Sequence, residues 1–359
     1  MVPTPHGERI GLEAATQSKG HDVVVVGASA GGVEALRAVV HELPADLDAS
    51  VFVVLHLPPS GTSVLPRILS RAGRLRAVHA SDGQAFEKGC IYIAPPDQHM
   101  RFADGHVTLD RGPRENGHRP AVDPMFRSAA ESFGGRVIGV VLSGVLDDGA
   151  AGLSAVKNGG GATLVQSAAD AMYPTMPAAA LEAVGETGVV GTASELAAAI
   201  VELTRRPPSG PTLAVVAGHP AVEEELLEVD RSSSEEPRAG TPSGYTCPEC
   251  HGGLWETQEG FVTLFRCRTG HAFSPESLVT EQHEHVERAL WAALRALEEK
   301  AAMLRRMSLR AMDRGHRHSA VRLDRKASAI LGEAVTVRRV LRTLEPVADA
   351  LDENEEEAL

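Results

Sequence analysis

Three kinds of polar residue stand directly after short apolar runs, where side chains from different parts of a chain can meet. Ser29 lies in Gly27-Ala28-Ser29-Ala30-Gly31-Gly32, after the run Asp22-Val23-Val24-Val25-Val26. His56 opens His56-Leu57-Pro58-Pro59, after Val51-Phe52-Val53-Val54-Leu55. Asp147 and Asp148 lie in the segment Ser143–Gly152, after Val137-Ile138-Gly139-Val140-Val141-Leu142. A serine becomes a nucleophile when a histidine takes its proton, and a carboxylate fixes that histidine's tautomer and stabilises its imidazolium form. Serine, histidine and aspartate at three run ends are therefore the set that a serine hydrolase needs. Spacing alone does not choose between the two aspartates, and a turn or helix N-cap role is the plainer reading of Asp147.

A second constellation lies far downstream. Cys247-Pro248-Glu249-Cys250 is followed by Cys267-Arg268-Thr269-Gly270-His271. Each pair fits a tight knuckle that points both ligands at one ion, and four protein ligands close a tetrahedron. Zinc in such a site is structural, because no coordination position stays open. Cys90, inside an apolar run, reads as a small buried hydrophobe.

The elements that would position these residues follow from the pattern. Runs rich in β-branched residues, apolar throughout, read as strands buried on both faces of a parallel sheet. Strand and helix patterns alternate from Asp22 to about Gly191, which predicts an α/β fold with a doubly wound, mostly parallel sheet. Helices are expected over about 33–40, 64–72 and 124–133, and a hairpin around Asp104-Gly105. In such sheets ligands bind beyond the carboxyl ends of the strands. The glycine-rich turn could alternatively cradle a phosphate. A dinucleotide site, however, wants an acidic residue at the tip of the second strand, where His56 stands, and no Lys-Ser/Thr follows the glycines.

Composition narrows the class. A chain of 359 residues suits two domains with linkers, and a net charge of −13 argues against a general nucleic-acid binder while leaving room for a local basic patch. No stretch resembles a signal peptide and no apolar run is long enough to span a bilayer, so the expected location is cytoplasmic and membrane insertion is not expected.

The motifs taken together resemble the catalytic domain of CheB-type protein-glutamate methylesterases. The stretches that carry the resemblance are Gly27–Gly32, His56-Leu57-Pro58-Pro59, Ile93–Met100, His118-Arg119-Pro120-Ala121-Val122-Asp123, Gly144–Gly152 and Met176-Pro177. The resemblance implies Ser29 as nucleophile, His56 as base and Asp148 as the acid, with an oxyanion donor in the loop at Val145. It implies removal of a methyl ester from glutamate on a partner signalling protein such as a chemoreceptor, deamidation of glutamine as a second reaction, and no cofactor for catalysis. His99, His118 and Arg119 would line the cleft or brace its loop. Ala30 stands where many members carry threonine, and Val145 where methionine is common. Family members in chemotaxis usually begin with a receiver domain; only some twenty residues precede the first strand here, so control by an attached phospho-aspartate is not expected.

The expected organisation is a disordered leader (1–21), a catalytic domain (22–204), a linker (205–244), a zinc-ribbon-like module (245–275), a helical hairpin (276–349) and an acidic tail (350–359). The hairpin rests on two heptad-like seams, Leu290 to Leu304 and Leu323 to Leu344, broken near Gly315, and is a candidate for homo-oligomer contacts. The rival from another class is an inactive adaptor that binds a partner helix through the same domain.

Overall fold

The computed structural model describes residues 20–58, 63–185, 188–206, 240–260 and 262–344. All but the last two residues of the expected leader, most of the linker and the acidic tail lie outside the described residues; His21, expected in the disordered leader, is instead buried, with Nδ1 3.2 Å from the Leu203 carbonyl. The chain divides into two units, each with its own core.

The first unit is built on a seven-stranded parallel sheet. Its strands are β1 (Val23–Ala28), β2 (Ser50–Leu55), β3 (Arg76–His79), β4 (Cys90–Ile93), β7 (Val137–Val141), β8 (Ala162–Gln166) and β9 (Val189–Gly191), in the order β3-β4-β2-β1-β7-β8-β9. A separate hairpin pairs β5 (His99–Ala103) with β6 (His106–Asp110), turning at Asp104-Gly105 as expected. The valines of β1 show why the sheet sits in the middle. Side chains alternate faces along a strand. Val24, Val26 and Ala28 therefore join one core layer, with helices α1 (Gly32–Glu42), α2 (Leu65–Ala72) and α6 (Ala193–Thr204). Val23 and Val25 join the other, with α3 (Val122–Phe133), α4 (Ala150–Asn158) and α5 (Thr175–Val184). At the amino-terminal edge Arg136 binds Asp22 through two parallel bonds of 2.8 and 2.9 Å.

The strand order reverses at β1. The chain runs from β1 to β2 on one side and later returns to β7 on the other, which opens a crevice beyond the carboxyl ends of these neighbours. Two differences from the sequence reading matter. Helix α3 begins at Val122, two residues earlier than expected, and its first turn becomes part of the site. Cys90 is half-buried at the start of β4 rather than enclosed.

The second unit begins with an antiparallel sheet of β10 (Thr241–Thr246), β11 (Gly253–Glu259), β12 (Val262–Cys267) and β13 (Ala272–Phe273). The first four residues of strand β10 fall in the expected linker; its pairing with β11 supplies the backbone bonds that its own side chains, mostly exposed, give no hint of. The core here joins Cys247, Leu254, Phe265, Cys267, Phe273 and Leu278. Two long helices follow, α7 (Pro275–Asp313) and α8 (Arg317–Thr343), packed as an antiparallel hairpin around Gly315, whose φ of 77° suits glycine. Their buried positions, Leu294, Ala301, Ala320, Ala327, Ile330 and Ala334, fall on or beside the expected seams. No helix among the described residues is long and apolar enough to cross a membrane.

Candidate active site

The parallel ladder continues past the strand ends and carries the site residues with it. The Ser29 amide donates to the Ser143 carbonyl (3.0 Å), the His56 amide to Ala28 (3.3 Å) and the Leu142 amide to Gly27 (2.9 Å). Ser29, His56 and the loop leading to Asp148 thus leave three adjacent strands, β1, β2 and β7, on the same edge.

There the side chains form one chain of contacts. His56 Nδ1 lies 3.0 Å from Ser29 Oγ, and His56 Nε2 lies 2.7 Å from Asp148 Oδ2. An ionised carboxylate only accepts, so the proton sits on Nε2 and leaves Nδ1 to accept from the serine hydroxyl. Burial acts to raise the Asp148 pKa, but the His56 bond and charge and the Val122 amide together outweigh it and hold the carboxyl well below its ordinary range.

Asp148 is held on all sides. Oδ2 also accepts from the Val122 amide at 2.6 Å, and Oδ1 accepts from the Asp123 amide at 3.2 Å and Asn116 Nδ2 at 3.1 Å. The two amides are the free N–H groups of the first turn of α3, where the helix dipole favours an anion. Gly27 permits this approach: a Cβ there would lie 2.3 Å from Val122 Cγ1. Asp147 is buried beside it, and its carbonyl accepts from Ala150, but α4 is capped at Gly149 rather than by Asp147.

Asn116 and Asp123 are contributors that sequence reasoning gave no role. Asp123 Oδ1 accepts from the Gly149 and Gly152 amides at 3.0 and 2.6 Å, which pins the turn that carries Asp148. Burial and the neighbouring Asp148 push the Asp123 pKa well up, favouring its neutral form. Asn116 bridges both carboxyls, donating to Asp123 Oδ2 at 3.2 Å. It sits in a tight turn in which Glu115 and His118 exchange backbone bonds of 3.2 and 2.9 Å. Asn116 and Gly117 have φ of 51° and 75°, the pair of positive values of a type I′ turn. Asn-Gly at those positions is the signal that could have located it.

The same turn places His118 against His56. The rings stack at 3.7 Å between centroids and 19° between planes. Burial and the adjacent His56 charge pull the His118 pKa down to about 3, so it stacks as a neutral ring. His99 and Arg119 instead brace the loop. His99 is fully buried, with Nε2 2.9 Å from the Pro113 carbonyl, and Arg119 binds Asp97 and the Gly112 carbonyl, each at 2.7 Å. We expect Asn116→Gly, which keeps the turn's backbone free to adopt positive φ, to lower kcat about 10–100-fold with little change in KM. That is the effect expected when a carboxylate loses one buried hydrogen bond. Steady-state kinetics check it.

Ser29's own amide is committed to Ser143, and the Gly144 amide donates to Tyr173 at 3.0 Å. The Ser29 amide is therefore not the turn's donor toward the Ser29 hydroxyl. Gly144 fixes how closely the loop approaches: a Cβ there would lie 2.9 Å from Ser29 Cβ and 2.3 Å from Met176 Sδ. Gly144→Ala should cost roughly 1–3 kcal/mol of stability by overpacking and shift Ser29 enough to reduce turnover about tenfold or more. Thermal unfolding and ester hydrolysis, measured together, test this.

In the second unit Cys247, Cys250, Cys267 and His271 converge, with ligand atoms all within 4.8 Å of one another. Cys250 and Cys267 Sγ are 3.5 Å apart, and His271 Nδ1 lies 3.4 Å from Cys267 Sγ and 3.7 Å from Cys247 Sγ. The edges of a zinc tetrahedron with sulfur and nitrogen ligands are about 3.5–3.8 Å. The Cys3His set and its spacing therefore fit zinc.

A serine, a histidine and a buried carboxylate, hydrogen-bonded in series at the carboxyl edge of a parallel sheet, define the arrangement of an α/β serine hydrolase. Residues 24–200 match the family described as CheB methylesterase, and the α/β domain of this chain belongs to that family. Among similar proteins is a protein-glutamate methylesterase/protein-glutamine glutaminase of Maricaulis maris, 38% identical over 166 residues, which are 45% of this chain and 41% of the relative. Another of that description, from Xanthomonas oryzae pv. oryzae, is 42% identical over 162 residues, 44% of this chain and 45% of the relative. The chain thus spans less than half the length of these curated relatives. The crystal structure of the Thermotoga maritima CheB methylesterase catalytic domain is 32% identical, with a TM-score of 0.48, covering 51% of this chain and 98% of that one.

Proposed function

We propose that the α/β domain hydrolyses the methyl ester of glutamate γ-methyl ester residues on a partner signalling protein of the chemoreceptor kind. The observation that carries this reading is the unbroken Ser29–His56–Asp148 series. Ser29 Oγ attacks the ester carbonyl while His56 Nδ1 takes its proton. The Ala30 and Val145 amides hold the oxyanion, and Asp148 stabilises the imidazolium. The tetrahedral intermediate collapses, the acyl–methoxy bond breaks, and methanol leaves with the proton from His56. Water, deprotonated by His56, then attacks the acyl-enzyme and frees the glutamate carboxylate and Ser29. A glutamine amide follows the same path with ammonia as the leaving group, and the names of the relatives support that second reaction. Neither path requires a cofactor.

The Cys247, Cys250, Cys267 and His271 cluster binds one structural zinc in this reading, supported by its ligand set and spacing. No disulfide joins its cysteines, which leaves their sulfurs available as zinc ligands, as a cytoplasmic site needs. The test is methanol release from a methylated receptor fragment by the full chain, with Ser29→Ala as the inert control. Absence of methanol release above that control would reject the reading.

A further inference from the structure

The turn of the helical hairpin carries a charge opposite to that of the chain. Between Arg305 and Lys326 stand eight arginines and lysines against two aspartates, in a chain whose net charge is −13. Arg305, Arg306, Arg310, Arg314, Arg317, Arg322, Arg325 and Lys326 are all exposed. The ion pairs found among the described residues of the hairpin, Arg288–Glu284 and Arg338–Glu298, lie outside this stretch. Packing does not explain the concentration either, since the seam here uses only Ala320 and the half-buried positions around it.

Apolar side chains are interleaved with these charges and point to the kind of surface they meet. Met303, Met307, Leu309, Met312 and Val321 are 46–67% exposed. On α7 and its C-cap, Met303, Met307, Arg310 and Arg314 are spaced by four, three and four residues, which puts methionine and arginine on one flank. A duplex or single-stranded nucleic acid has little use for such methionines, and no Phe, Tyr or Trp follows Trp291 in the hairpin to stack on a base. An anionic bilayer uses both features. Its headgroups attract the arginines, and its acyl boundary accepts short apolar side chains. Helix α7 has 39 residues and spans about 58 Å, so its far end can reach a surface well away from the helix base.

We infer that the hairpin turn, residues 303–326, is a peripheral docking surface for anionic lipid headgroups. This rests on the second unit alone and holds whether or not the α/β domain turns over an ester. The full chain should co-sediment with vesicles of phosphatidylcholine and phosphatidylglycerol, and not with phosphatidylcholine alone. Binding should weaken as salt is raised. Changing Arg305, Arg306, Arg310 and Arg314 together to Gln, a good helix former, should weaken partitioning about 10²–10³-fold at unchanged helicity. Leu309→Ser with Met312→Ser should weaken it at least several-fold while the charge is intact. Equal sedimentation with neutral vesicles, or none with anionic ones, would overturn the inference. So would binding to duplex DNA that exceeds vesicle binding and is indifferent to the Leu309/Met312 pair, since that result marks the turn as a generic polyanion site.

Discussion

Ser29→Ala is expected to reduce methyl-ester hydrolysis by roughly 10³-fold or more, and Ser29→Ala/His56→Ala to be little worse than either single change. The residues act as one unit, so removing a second member removes nothing further. Asp148→Asn should cost as much in rate, and the geometry says why it should also cost stability. Each carboxylate oxygen accepts from two donors: Oδ2 from His56 Nε2 and the Val122 amide, Oδ1 from Asn116 Nδ2 and the Asp123 amide. An asparagine amide turned either way points its NH2 at two N–H groups. The change leaves buried donors unpaired and lets His56 adopt the wrong tautomer. Asp147→Asn touches none of these four bonds and should retain most activity. Kinetics alongside thermal unfolding separate the two effects: Ser29→Ala loses rate alone, whereas Asp148→Asn loses both. Near-normal hydrolysis by purified Ser29→Ala protein would sink the assignment.

The second large effect concerns the metal. The sheet β10–β13 buries few side chains, two of them the cysteines Cys247 and Cys267. Without an ion, the four ligand groups are held together only by weak thiol hydrogen bonds. Structural zinc in small modules supplies about 10–16 kcal/mol, enough to decide folding by itself. Metal analysis should find one zinc per chain. Strong chelation or Cys250→Ser should abolish the sheet's protection from proteolysis while small-ester hydrolysis persists, because the α/β unit has a separate core. Zinc-free protein with an intact sheet, or loss of ester hydrolysis on chelation, would show that the module is not an independent zinc-dependent fold.

What could be read in advance follows physical lines. Buried parallel strands leave a strong mark, since both faces must be apolar, and Val23–Val26, Val51–Leu55 and Val137–Leu142 were legible for that reason. Ser29 and His56, which meet at the sheet edge, could be singled out because each follows such a run closely. Choosing Asp148 over Asp147 required the family resemblance, because both aspartates are buried and adjacent. Asn116 and Asp123 were not assigned roles: their work is to orient another side chain through contacts between distant loops, and no periodicity records that. The start of strand β10 reads as linker because Thr241-Pro242-Ser243-Gly244 consists of turn residues. The edge position in the sheet is what tolerates Pro242.

The strand order also governs when the site can exist during folding. Ser29 and Asp148 are joined through the pairing of β1 with β7, whose register matches Val23 to Val137. Closing that pairing brings together segments more than a hundred positions apart, an entropic cost that must be met before the contact rewards it. The first half contributes Ser29 and His56, but Asp148 and the Ser143 carbonyl that fixes the Ser29 amide come from across the join, so the full series cannot form before it closes. Recovery of ester hydrolysis after dilution from denaturant is therefore a late reporter. It should lag behind helix formation seen by circular dichroism and coincide with burial of the central sheet.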